Sequence, residues 1–169
     1  MSFPALLRNV AAVALLPFTV TVLVPLWLVS RYGGGRGFPD SFVESLALAL
    51  GLVSLGLGVV LFGLCLRRFA GEGDGTLAPW DPPRELVVRG PYRYVRNPMI
   101  TGVILVLLGE GLVLRSLALL GWAAVFTALN LLYIPLVEEP GLERRFGDSY
   151  RRYCANVPRI VPRMTPWQG

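Results

Sequence analysis

Four apolar runs, from about Val10 to Val29, Phe42 to Phe69, Met99 to Leu114 and Leu117 to Val137, leave this chain few ways to fold. A stretch of about 20 apolar residues spans the hydrocarbon core of a bilayer as a helix, because a helix satisfies its own backbone hydrogen bonds where water is absent. The second and fourth runs reach that length. The first reaches it with Pro17 and Pro25 inside, and the third is short. Hydrophobic residues make up 54% of the chain, too many for an ordinary soluble fold. The expected class is all-α: a polytopic integral membrane protein of about four transmembrane helices with a C-terminal interfacial helix. Its 169 residues make one domain, with two spans in 1–70 and a polar loop, a helical hairpin and a tail in 71–169. The first run is long, a single arginine precedes it and no small-residue cleavage site follows, so it reads as a retained helix rather than a signal peptide.

Charge narrows the class further. Sixteen arginines stand against eleven acids, with no lysine, for a formal charge of +5. The arginines flank apolar spans, which fits a membrane surface better than nucleic acid. Chain-wide absence of histidine removes zinc-hydrolase and Ser-His-Asp chemistry. Cys65 and Cys154 lie in no metal-ligand spacing, so neither a metal nor a disulfide is expected.

Between the second and third runs the chain turns polar and carries RGPYRYVRNPMITG, Arg89 to Gly102, immediately before an apolar helix. Repeated Gly and Pro argue against a long helix there, with Leu86 to Val88 as a brief extended candidate. Loops of this length in small proteins are usually functional. The third and fourth runs are separated only by Arg115-Ser116, which makes them an antiparallel hairpin. Its open ends are then neighbours, and Asn97-Pro98 comes close to Glu138-Glu139. Beyond them, Leu142, Phe146, Tyr150 and Tyr153 recur at helical spacing, a pattern suited to one interfacial amphipathic helix over Gly141 to Tyr153. Val157 to Arg163 then runs extended. Gly51, Gly56, Gly58 and Gly63 in the second run suit close helix packing in lipid.

Thirteen arginines fall on the N-terminus, the central loop and the tail, against Arg31, Arg36 and Arg115 on the opposite side. That asymmetry places both termini and the motif loop in the cytoplasm, at a plasma or inner membrane of bacterial type.

The run GPYRYVRNPMITG, the paired acids after the last span and LERRFGDSYRRYCANVPRIVPR together resemble the isoprenylcysteine carboxyl methyltransferase and phospholipid methyltransferase family of membrane enzymes. The resemblance covers roughly 76–163, with the motifs in order and at matching distances. It implies S-adenosylmethionine as cofactor, reached from the cytoplasm, and a lipophilic acceptor entering from the bilayer: an isoprenylcysteine-like carboxylate, a phospholipid or another small amphiphile. Carried over, Gly90, Tyr92, Arg96, Asn97, Pro98, Gly102, Glu138 and Glu139 would bind the cofactor. Arg159 and Arg163 would meet the substrate, with Arg159 and Glu139 closest to the chemistry. Where the family commonly has Arg-His-Pro followed by a Tyr, this chain has Asn97 and Ile100, which points to a divergent subfamily with a different substrate.

The physics is compatible with that implication. A sulfonium carries its own leaving group, so methyl transfer mainly needs alignment and a reactive nucleophile. Arginines bind carboxylates bidentately, and carboxylates anchor amines and hydroxyls. Plainer readings of the same residues remain: Arg93 and Arg96 as topology determinants, Glu138 and Glu139 as solvated interface charges, Tyr92, Tyr94, Trp80 and Trp167 as a membrane-interface belt. Two rival functions also stand. One is an NADPH-dependent membrane reductase of sterol-reductase type, although no Gly-rich phosphate loop follows a strand. The other is a non-catalytic membrane module.

Overall fold

The computed structural model describes residues 14–35, 38–72, 86 and 88–168. Arg8, Arg36 and Arg84, counted above for orientation, and Trp80 with most of the loop before the motif lie outside the described residues. Everything described is helix or connection, with no strand; Leu86 and Val88 are irregular. A π-helical segment, Ala14–Leu23, contains Pro17 and runs into α1, Val24–Tyr32. Then come α2 (Phe42–Glu72), a 3₁₀ turn at Gly90–Arg93, α3 (Pro98–Val113) and α4 (Leu117–Tyr133). A π-helical turn at Ile134–Glu138 links α4 to α5 (Glu139–Phe146), and α6 (Asp148–Asn156) follows.

Two helical stretches, Phe42–Arg67 and Leu117–Phe146, are long and apolar enough to cross a membrane. Leu16–Tyr32 and Pro98–Val113 are shorter apolar helices. Only 17% of the apolar window of either long helix is buried inside the protein, whereas a soluble core helix of that composition would be mostly covered. Leu46, Leu50, Val53, Leu57 and Val60 form an exposed stripe on α2, and Val125, Leu129 and Leu132 form one on α4 that continues to Leu136 in the π-helical turn. Those outward apolar faces are what lipid would cover.

Glycine sets the closest helix contact. A Cβ on Gly58 would meet the Gly102 carbonyl oxygen at 2.7 Å, and one on Gly109 would meet the Leu55 amide nitrogen at 2.7 Å. Gly51 sits equally tightly against Leu112 and Val113. Gly51 and Gly58 are thus paired with Gly109 and Gly102 across antiparallel α2 and α3, and both pairs are spaced by seven residues. Ser54 Oγ donates to the Leu105 carbonyl at 2.8 Å across the same seam. Gly56 and Gly63, expected in the same role, meet nothing within 4 Å.

The end of the bundle remote from the motif is closed by short-range order. Ser41 accepts from the Glu44 amide at 3.2 Å and Glu44 accepts from the Asp40 amide at 3.0 Å, a reciprocal cap on α2. Glu44 also pairs with Arg115 at 2.5 Å, and the Gly35 amide donates to the Leu114 carbonyl at 2.7 Å. The α3–α4 turn is anchored there, which fixes the hairpin and delivers its other end to the motif.

The tail differs from expectation. The fourth helix does not stop at Glu138-Glu139 but continues to Phe146 through the π-helical turn. Pro135 and Pro140 each lack an N–H, and a widened turn absorbs the lost ladder bonds. The single amphipathic helix expected over Gly141 to Tyr153 is two helices, broken at Gly147, whose φ of 56° and ψ of −130° exclude most side chains. Its apolar face is covered by protein as well: Tyr150, Tyr153 and Val157 pack with Leu86, Val88, Leu142, Phe146 and Trp167. Trp167, one of the residues considered for an interface belt, lies against Tyr153 with ring centroids 5.8 Å apart.

Candidate functional site

The motif loop and the C-terminal segment are laid side by side. Arg96 N donates to the Pro158 carbonyl at 2.8 Å and Asn97 N to the Arg159 carbonyl at 3.2 Å. Further along, Arg163 N donates to the Tyr94 carbonyl at 3.0 Å and Trp167 N to the Arg93 carbonyl at 2.9 Å. Asn97 Nδ2 reaches the Arg159 carbonyl at 3.3 Å, and Thr101 Oγ1 reaches that of Ile160 at 3.3 Å. Pro98, buried, opens α3 at the position where a missing N–H costs nothing. Tyr153 Oη donates to the Tyr92 carbonyl at 2.7 Å, tying α6 to the 3₁₀ turn. Gly90 begins that turn with a φ of 55°.

These pairings bring two arginines, distant in sequence, onto one carboxylate. Arg159 donates to Glu139 through Nε at 2.9 Å and Nη2 at 2.7 Å, a bidentate fork. Arg96 Nη1 lies 2.8 Å from the same carboxylate and donates at 2.8 Å to Cys154 Sγ. The cluster therefore joins motif loop, hairpin end and tail, and it brings Arg96 and Asn97 to the end of the fourth helix. It is largely withdrawn from solvent, with the Arg96 and Glu139 side chains 12% and 16% exposed. The hydrogen bonds to Glu139 raise the Arg159 guanidinium above its usual range.

Glu138, its neighbour in the chain, takes neither guanidinium. Two adjacent carboxylates at the polar end of the span are thus separated in character, one committed to guanidiniums and one not. Burial raises the Tyr92 phenol well above its ordinary range.

Other residues expected at the site are placed elsewhere. Gly102 faces α2, where a Cβ would meet the Gly58 carbonyl oxygen at 3.1 Å and the Phe62 amide at 3.2 Å. Arg163 donates through Nη1 to the Asn156 carbonyl at 2.7 Å. Cys154 was not expected at the site, yet its thiol accepts a hydrogen bond from Arg96 Nη1. A lone cysteine in a polar tail carries no spacing signal that could have revealed this. A hollow of about 260 Å³ lined by Pro140, Glu143, Arg144 and Arg151 contains none of the clustered side chains and is smaller than common ligand pockets. Among the described residues no group of three His, Cys, Asp or Glu side chains is placed to hold a metal ion.

The fit of a zwitterionic cofactor can be judged on the cluster itself. Arg96 Nε is buried without a hydrogen-bond partner among the described residues, a donor suited to a carboxylate. Glu139 beside it is suited to an ammonium or to hydroxyls. The residues present therefore fit the methionyl end of S-adenosylmethionine.

Comparison with known proteins agrees with the motifs. A family model described as phospholipid methyltransferase matches residues 45–149, from the second apolar helix to the start of α6. The cobalt-zinc-cadmium resistance protein CzcN of Cupriavidus metallidurans is 27% identical over 148 residues, 88% of this chain and 64% of the relative. The chain thus spans a little under two thirds of that relative's length. With more than half of its residues matched in one continuous stretch that contains the motif loop, the hairpin and Glu139, the chain belongs to the phospholipid methyltransferase family of membrane proteins.

Proposed function

We propose that this protein is an S-adenosylmethionine-dependent methyltransferase that acts on a lipophilic or membrane-embedded acceptor. The observation that carries the reading is the convergence of Arg96 and Arg159 on Glu139, with the Arg96 Nε left as a buried, unpartnered donor. In this reading the protein crosses the bilayer four times, through the two long helices and the two shorter apolar ones. Both termini and the cluster face the cytoplasm, the side favoured by the arginine distribution.

Arg96 and Arg159 would hold the cofactor's carboxylate, and Glu139 its amine or ribose hydroxyls. Gly90, Tyr92, Asn97 and Pro98 form the backbone frame that keeps Arg96 in place. The cofactor, when bound, supplies an electrophilic methyl group on a positively charged sulfur. The protein's own contribution is positioning: bidentate clamps fix orientation, and the partly buried site strengthens each charge-assisted contact. Asn97 is engaged with the Arg159 carbonyl, so its role is to hold loop and tail together rather than to move a proton.

Equilibrium binding of labelled S-adenosylmethionine to the detergent-purified protein tests the assignment. Saturable binding to the wild type and loss of about tenfold or more in affinity in Glu139→Ala are expected, with membrane insertion intact. That factor corresponds to one charge-assisted contact, about 1.4 kcal/mol. Unchanged affinity would remove Glu139 from the site, and competition by NADPH but not by the demethylated cofactor would favour a reductase.

A further inference from the structure

Beyond α6 the chain is tied down by its backbone, yet it leaves apolar side chains uncovered. Val161 is 75% exposed and Met164 96%, a few residues after Tyr153 and Val157, which are buried. Meanwhile the carbonyls of Pro158, Arg159 and Ile160 accept in turn from Arg96 N, Asn97 N and Thr101 Oγ1, at 2.8, 3.2 and 3.3 Å. Arg163 N donates to the Tyr94 carbonyl at 3.0 Å, and Pro158 and Pro162 carry no N–H. The segment is therefore fixed against the motif loop and the first turn of α3, with Val161 and Met164 turned away from the protein.

Its depth follows from α3. The 16 residues of that helix make it about 24 Å long at about 1.5 Å per residue, whereas the hydrocarbon core of a bilayer is about 30 Å thick. A span that short draws both of its ends to the hydrocarbon boundary, by thinning the bilayer or by sinking into it. Thr101 lies one turn inside α3 and holds the Ile160 carbonyl at that level. Val161 and Met164 follow within four residues. An upper limit on depth comes from the backbone. The Ile160 and Val161 amides have no hydrogen-bond acceptor among the described residues, so they belong where water and head groups reach them and not in the hydrocarbon core. Tyr94, 37% exposed beside the segment, suits the same level.

We propose that Val161 and Met164 form a wedge seated among the head groups and upper acyl chains of the cytoplasmic leaflet, an inference that rests on the four-span reading above. The bilayer interface, and not a protein partner, is what covers them: a water-borne partner cannot reach side chains at that depth. The wedge has a consequence for the cluster. Arg159 is two residues from Val161, at most about 7 Å along the chain, and it forks onto Glu139. Seating Val161 in the leaflet therefore ties the Arg159–Glu139 fork to the plane of the lipid head groups, by a contact separate from the spanning helices.

Depth-dependent fluorescence quenching of the full chain in phosphatidylcholine nanodiscs tests this. A fluorescent amino acid replaces Met164, Val125 of the outward stripe on α4, or Asp148, whose side chain is 88% exposed at the start of α6. All three side chains are exposed, so the labelled chains should fold, and a Tm in detergent equal to that of the wild type verifies it. The quenchers are lipids with a nitroxide in the upper acyl chain, lipids with a nitroxide near the chain end, and iodide in the water. The upper-chain nitroxide should quench the Met164 site at least about threefold more than either other quencher does, as for a side chain within about 5–10 Å of the boundary between head groups and acyl chains. The Val125 site should respond most to the chain-end nitroxide, and the Asp148 site to iodide alone. If iodide quenches the Met164 site most, the tail lies in water and the wedge is overturned. Strongest quenching there by the chain-end nitroxide would overturn it as well. Quenching by none of the three would mean that protein covers the site, and would overturn it in favour of a partner or a second copy. Each of those results, with Val125 quenched from the chain end, leaves the spans standing. A Val125 site that the chain-end nitroxide does not reach would overturn the four-span reading, and the wedge with it.

Discussion

Replacing Glu139 by Gln keeps the side-chain volume and removes the charge on which two guanidiniums converge. Charge-assisted hydrogen bonds contribute about 1.5–3 kcal/mol each; two from Arg159 reach this carboxylate, and Arg96 adds an ion pair at 2.8 Å. The Arg159 side chain is 34% exposed, so solvent screens its share, whereas Arg96 is 12% exposed and would keep an uncompensated charge. A glutamine oxygen can still accept one bond. The expected loss of stability is therefore about 2–4 kcal/mol, between the values for exposed pairs and for fully buried ones. Arg159→Met removes the more exposed partner and should cost less, about 1–2 kcal/mol. In the double variant the losses should fall short of additive by about 1–2 kcal/mol, the coupling of the bidentate pair. Equilibrium unfolding in mixed detergent micelles measures all four corners of the cycle. Additivity within about 0.5 kcal/mol would mean that the fork contributes nothing at equilibrium and would refute the reasoning.

The helix seam makes a second, contrasting prediction. Gly109→Leu should cost several kcal/mol or prevent folding, since even a Cβ would lie 2.7 Å from the Leu55 backbone, while Gly56→Ala should be neutral or slightly stabilising because nothing lies within 4 Å; thermal melts of both decide.

The sequence made the hairpin legible because Arg115-Ser116 leaves no length for anything but an antiparallel return, and the Arg96–Glu139 contact follows from that topology. What could not be read was orientation around helix axes. Of Gly51, Gly56, Gly58 and Gly63 in α2, two face α3 and two face outward, and the spacing of seven within each pair is the same. Gly102 occupies that seam, and Arg163 turns to a backbone carbonyl. The tail pattern marked the right apolar residues but not what covers them, since a stripe of Tyr, Phe and Leu suits a bilayer and a protein surface equally. The break at Gly147 depended on one residue's left-handed backbone, and the passage of the fourth helix through Pro140 on a π-helical turn that no short-range pattern announces. Recruitment of Cys154 to Arg96 is tertiary from the outset, because the two are 58 residues apart.

The measurement that bears most directly on the central claim is a thermal-shift titration of the purified full chain with S-adenosylmethionine, its demethylated product and NADPH. A ligand that binds only the folded state stabilises it by about 2.7 kcal/mol at a hundred times its Kd. The account predicts a saturable rise in Tm with the first two, abolished in the Glu139→Ala, Arg159→Met double variant, and no rise with NADPH. A rise with NADPH alone, or none with any of the three, would contradict it.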